Sequence, residues 1–128
     1  FLLFLCEGVG SAQSPITVPR EEQRIIDNAN QFIQRGQLVE AIQTFELFLV
    51  KYPKSVITSN VLIQLGDTLV QQGDFKKAEE AFLLFLKKFP QNDQAHTVRN
   101  KLSQTYLKME KVHEALAVWD RVEKQDEL

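Results

Sequence analysis

Residues 73–90 read GDFKKAEEAFLLFLKKFP, and 37 positions earlier residues 36–53 read GQLVEAIQTFELFLVKYP. Each stretch opens on a glycine, reaches an alanine (Ala41, Ala78), places an aromatic four residues on (Phe45, Phe82) and closes on an aromatic–proline pair. Phe75, Ala78, Phe82, Phe85, Leu86 and Phe89 step by three and four, as do Leu38, Ala41, Ile42, Phe45, Phe48 and Leu49. That spacing sets one apolar stripe along a helix. Proline then forbids the helix from continuing.

The echo extends in both directions. Ala115 and Trp119 form a third alanine–aromatic pair one period further on. The same step links Ala29, Gly66 and Ser103, then Phe32, Leu69 and Tyr106, then Leu38, Phe75 and Val112. Small residues recur with small ones and bulky apolar ones with bulky ones. A period of this length with helical spacing inside each copy marks a stacked helical array. The alanines are where two helices approach closely, and the aromatic one turn along the same face fills the gap between pairs.

The punctuation predicts six helices. The first runs from about residue 19 to 35 and stops at Gly36, and the second from Leu38 to about Tyr52 before Pro53. Ser55 is the expected N-cap of the third, which ends at Gly73. The fourth spans Phe75 to Phe89, the fifth is capped by Asn92 or Asp93 and ends near Met109, and the sixth starts around Val112. No alternating strand pattern occurs, so the chain is all-α.

At 128 residues, with 44% apolar and 25% charged residues, this is one domain of ordinary composition. Fifteen basic and seventeen acidic residues give a formal charge of −2 without a basic block. That excludes the electrostatic footprint of a nucleic-acid binder or a membrane-surface patch. Phe1 to Cys6 is apolar and Gly10-Ser11-Ala12 supplies small residues before Gln13, so residues 1–12 read as a partial signal peptide. The alternative is an apolar tail packed on the first helix of a cytoplasmic protein. The lone Cys6 excludes an internal disulfide, and Leu5 sits where a lipoprotein signal expects a small residue. Residues 13–19, with Pro15 and Pro19, read as a linker.

The three copies resemble the tetratricopeptide repeat family, whose pattern is W-x2-L-G-x2-Y, then A-x3-F, then P. The middle copy reads Leu62-x2-Leu65-Gly66-x2-Leu69, Ala78-x3-Phe82, Pro90. The first reads Ile25-x2-Asn28-Ala29-x2-Phe32, Ala41-x3-Phe45, Pro53, and the third Arg99-x2-Leu102-Ser103-x2-Tyr106, Ala115-x3-Trp119. The resemblance implies a right-handed α-solenoid of three helix-turn-helix pairs, at about 22–55, 59–92 and 96–128. The three residues beyond the family's 34-residue period fall after Pro53 and Pro90, where they are expected to lengthen the first helix of the following pair. Helix ends of the form Phe-Leu-x-Lys-Tyr/Phe-Pro are similar to bacterial cell-envelope members: Tol–Pal-associated periplasmic proteins and an outer-membrane assembly lipoprotein. With no solvating helix after the third pair, the sequence reads as truncated at its C-terminus.

The family lines its concave groove with the first helix of each pair. Carried over, the groove comprises Ile26, Asn30 and Ile33; Asn60, Ile63, Asp67, Val70 and Gln71; Asn100, Gln104 and Lys108. Amides there would hold a peptide backbone, and the aliphatic residues its apolar side chains. The resemblance thus implies a non-catalytic scaffold binding a protein or peptide segment, periplasmic if the start is a signal. The alternative is a self-associating structural array or the N-terminal part of a larger protein. Only Lys108 is cationic, which argues against a carboxylate clamp.

Nothing points to catalysis, a cofactor or a metal. His96 and His113 have no cysteine partner or ligand spacing, no glycine-rich phosphate loop exists, and Asp74, Glu79 and Glu80 read as the exposed start of a helix. Asp27 beside Arg24 reads as a surface ion pair. The final Gln125-Asp126-Glu127-Leu128 resembles a retention tail, but in register it replaces Tyr52-Pro53 and Phe89-Pro90, so a repeat end explains it equally well.

Overall fold

A computed structural model describes residues 17–126, with side chains as far as Arg121. The signal-like start, Cys6, most of the linker and the last two residues lie outside the described residues. Six helices follow in order: α1 (Arg20–Gln34), α2 (Leu38–Lys51), α3 (Thr58–Gln72), α4 (Phe75–Lys88), α5 (Ala95–Lys108) and α6 (Val112–Asp126). No strand occurs among the described residues. The substantial contacts join helices consecutive in sequence, so the pairs α1–α2, α3–α4 and α5–α6 stack as a linear array.

The turn inside each pair is built the same way three times. The backbone N–H of Gln37 donates to the Phe32 carbonyl (2.8 Å), Asp74 to Leu69 (2.9 Å) and Lys111 to Tyr106 (2.8 Å). Such bonds reach back over the last helical turn and require a left-handed residue just before the donor. Gly36 and Gly73 supply it at φ +76° and +90°. At the third turn the same register falls on Glu110, which takes φ +61° without glycine's freedom.

Between pairs, the chain stops at an aromatic and a proline. Tyr52 and Phe89 donate back to Phe48 and Phe85 (2.8 and 2.7 Å), and their rings lie 5.4 and 5.6 Å from those same phenylalanines. Two expectations fail here. α3 begins at Thr58 and α5 at Ala95, so Ser55, Asn92 and Asp93 are not caps but members of the preceding turn. Ser55 Oγ accepts from the N–H of Ile57 (3.2 Å) and donates to Glu22 of α1; Asn92 Oδ1 accepts from Gln94 (2.8 Å). Nor does the three-residue excess lengthen the following helices. α3 and α5 have 15 and 14 residues against 15 in α1, and the excess lies in the segments 52–57 and 89–94.

The core is the apolar stripe read from sequence. Phe45, Phe48, Phe82 and Phe85 are fully buried, with Ala29, Ala41, Ala78, Leu62 and Leu102 around them. Each buried ring contributes about 1.5–3 kcal/mol through the surface it removes from water. Gly66 is the closest fit: a Cβ there would lie 2.3 Å from Phe82 Cε1. Ala29 holds the matching place in the first pair. In the third, Ser103 donates its hydroxyl to the Ala115 carbonyl (3.0 Å), tying α5 to α6. Trp119 breaks the pattern: it is 41% exposed where Phe45 and Phe82 are at 0%, so it does not fill a gap between pairs. Glu79, expected to be exposed, is buried.

Candidate binding face

α1, α3 and α5 present the residues carried over from the repeat pattern, and burial sorts them. Asn60, Asp67, Gln71, Gln104 and Lys108 are exposed, while Asn30, Ile33, Val70 and Asn100 are half-buried. Ile26 and Ile63 belong to the core, at 8% and 9% exposure, which leaves little of either side chain to meet a ligand.

The face is organised around an ion pair that sequence reasoning did not single out. Lys101 Nζ of α5 donates to both carboxylate oxygens of Asp67 on α3, at 3.0 and 3.1 Å. Both groups are substantially solvated, so the pair adds at most about 1 kcal/mol, but it fixes the spacing of the two helices and neutralises Asp67. The signal was available in register. Lys101 falls on the α5 turn beside Asp67, where Gln64 stands one repeat earlier; Gln64 Oε1 is buried without a protein partner. A cleft of about 90 Å³ opens beside the pair, lined by Val70, Gln104, Thr105 and Lys108, with Phe82 as its floor. Gln104 Nε2 donates to Asn100 Oδ1 (3.3 Å), and Lys108 Nζ stands 5.9 Å from the Phe75 ring. The face is therefore amide-rich, with its one acidic group paired.

On the other side of the α4–α5 seam, the buried Glu79 carboxylate takes a salt bridge from Lys76 (3.3 Å) and a hydrogen bond from the Tyr106 hydroxyl. Burial, then that bond, then the charges of Glu79 and Glu114 push the Tyr106 hydroxyl up to about 12. This pair joins α4 to α5 inside the seam. Arg24 pairs with Glu21 (3.5 Å), not with Asp27, which accepts from Gln23 (2.8 Å). Among the described residues, no group of three or more His, Cys, Asp or Glu is placed to hold a metal ion, and no helix is long and apolar enough to cross a membrane.

This arrangement of helix pairs is the tetratricopeptide-repeat fold. The tetratricopeptide repeat model matches residues 29–55 and 60–92, within the first two pairs. Solved structures share the fold. A tetratricopeptide repeat protein from Parabacteroides merdae superposes with a TM-score of 0.71 at 20% identity, over 79% of this chain and 38% of that one. MamA from Desulfovibrio magneticus RS-1 gives 0.71 at 21% identity, over 83% and 56%. MamA of AMB-1 gives 0.70 at 22%, over 85% and 61%. The chain thus spans less than two thirds of each of these longer arrays. No curated protein matches it in sequence. Stacked helical repeats of this kind in general build extended concave binding surfaces.

Proposed function

We propose that this chain holds an extended protein segment along the face of α1, α3 and α5, without chemistry or cofactor. The observation that carries the reading is the exposed amide row Asn60, Gln71 and Gln104 beside the neutralised Asp67–Lys101 pair. Amides that both donate and accept can register a peptide backbone, and a face with its acid already paired favours a segment of low net charge. The cleft floored by Phe82 takes one small apolar side chain of that segment. The test is selection of displayed random peptides on the 128-residue chain. Binders should lose affinity for an Asn60→Arg/Gln71→Arg double variant, whose substitutions sit on exposed positions and spare the fold. Peptides that bind this variant equally well would sink the groove reading.

The same proposal sets the scaffold in a bacterial envelope, as a periplasmic protein. Its support is the apolar Phe1–Cys6 run, the small residues before Gln13 and the Phe-Leu-x-Lys-Tyr/Phe-Pro helix ends. Fractionation of the native gene product tests it; recovery with cytoplasmic proteins would overturn it.

A further inference from the structure

The seam between the second and third pairs differs in charge from the seam before it. Lys87 of α4, Arg99 of α5 and Arg121 of α6 stand one period on from Val50, Leu62 and Leu84. Three aliphatic positions of the first seam are thus three cations of the second. The exchange runs the other way at Leu83, which replaces Glu46. Those four positions carry −1 in the first seam, from Glu46 alone, and +3 in the second, in a chain whose formal charge is −2.

The fold brings the three cations to one place. All three line a cleft of about 270 Å³ between α4, α5 and α6, together with Leu83, Leu86 and Val118. Lys87 and Arg121 are exposed, and among the described residues neither has a carboxylate within salt-bridge distance. Arg99 is half-buried and already has an interaction partner, as does Asp120 beside Arg121. The charge left for a ligand is therefore that of Lys87 and Arg121. Leu83 keeps 44% of its surface exposed, so an apolar seat lies open beside the two cations. An ammonium and a guanidinium form charge-assisted hydrogen bonds with anionic oxygens, and an aliphatic seat takes an aliphatic side chain.

We infer that this cleft is a docking site for an acidic segment of a partner protein, in which carboxylates flank one aliphatic side chain. The carboxylates meet Lys87 and Arg121, and the aliphatic side chain lies on Leu83 and Val118. A bilayer of anionic lipid fits less well. Exposed Glu80 lies one turn before Leu83 and Leu84 on α4, and exposed Asp120 stands beside Arg121 on α6, so a broad anionic surface would meet acids along with the cations. A single segment can bring a carboxylate to each cation and leave both acids in water. The cleft shares no lining residue with the one beside the Asp67–Lys101 pair. The two sites therefore select different segments, of low net charge on the amide face and acidic here. The inference goes beyond the proposed peptide face and stands without it.

The probe is the acetylated, amidated peptide Gly-Glu-Glu-Leu-Glu-Glu-Gly, titrated into the isotope-labelled 128-residue chain and followed by amide NMR. Saturable shifts are expected in Leu83–Lys87, around Arg99 and in Val118–Arg121, and they should weaken with added salt. Lys87→Val/Arg121→Leu restores the residues that the first seam carries in register, so it suits the fold. This variant should bind the peptide about tenfold more weakly or worse. Lys87→Gln/Arg121→Gln should show the same loss without added apolar surface, and a thermal melt checks that each variant is folded. An all-glutamine or a glycine-for-leucine peptide that binds as well as the original overturns the proposal. So does a shift map centred on Asn60 and Gln71, or the lack of any saturable shift. Capture by phosphatidylglycerol vesicles that requires Lys87 and Arg121, with no response to the peptide, would give the cleft to a lipid headgroup and overturn it too. The Asn60→Arg/Gln71→Arg variant should return the parent's map, so failure here and failure of the amide face are separable.

Discussion

Gly66→Ala sets two effects of known size against each other. Gly66 lies inside α3 with ordinary helical backbone, so on intrinsic propensity alanine would stabilise that helix by about 1 kcal/mol. The structure opposes this. The new Cβ would meet Phe82 at 2.3, 2.6 and 2.8 Å from three ring atoms, where carbon–carbon contact is comfortable at about 3.5–4.0 Å. The ring must retreat by roughly 1 Å, yet Phe82 is fully buried and its ring is the far side of a packed core. Overpacking of this kind costs about 1–3 kcal/mol, which exceeds the propensity gain over most of its range. The expected net is a loss of about 1–2 kcal/mol, or several degrees in Tm for a domain of this size. Urea melts followed by circular dichroism measure it. Phe82→Leu in the same chain should relieve the clash, so the double variant should be less destabilised than the two single losses summed. A Gly66→Ala chain more stable than the parent would refute the reasoning, and with it the close approach of α3 and α4.

Three further outcomes follow from the same geometry. Glu110→Gly releases a non-glycine residue from φ +61° and should gain about 1 kcal/mol; a melt that is unchanged or lower would mean the third turn carries no such cost. Tyr106 has its folded value raised above the ordinary 10 to about 12, so its contribution is whole below pH 10 and is lost as pH climbs through 12. Melts from pH 8 to 11.5 should show stability falling above pH 10, and Tyr106→Phe should flatten that fall; an equal fall in both chains would count against it. Phe82→Ala should cost about 3–5 kcal/mol and Ala78→Leu about 1–3 kcal/mol, both read from the denaturation midpoint. Insensitivity to both would mean the helix register is wrong.

The fold was legible because its determinants are local and repeated. Gly36, Pro53, Gly73 and Pro90 punctuate the helices, and the Ala–aromatic steps name the buried stripe in the first two pairs. What escaped was set by neighbours in space. Ser55 and Asn92 are good capping residues, but proline two positions earlier commits them to a turn, and the helices wait for Thr58 and Ala95. Glu79 sits on a polar-looking helix start, and the Lys76 ammonium together with the Tyr106 hydroxyl from the next pair makes its burial acceptable. Trp119 matches Phe45 and Phe82 in sequence, yet burial of a ring depends on what lies beyond it. On the candidate face, the amides could be listed from register. The Asp67–Lys101 bridge needs the distance between two helices, which composition does not contain.

The serial wiring of the helices, each packed mainly on its neighbours in sequence, has a consequence for how the molecule comes apart. Stability in such a chain is close to a sum over adjoining units, and contacts of short sequence separation favour rapid closure. Among the described residues, the central hairpin α3–α4 is packed on both sides, whereas α5–α6 meets a helix pair on one side and leaves Trp119 half-exposed. Amide exchange should therefore be graded rather than uniform, slowest in α3 and α4 and fastest in α6. The array behaves less like a block that melts at once than like a short stack that loosens from its last leaf inward.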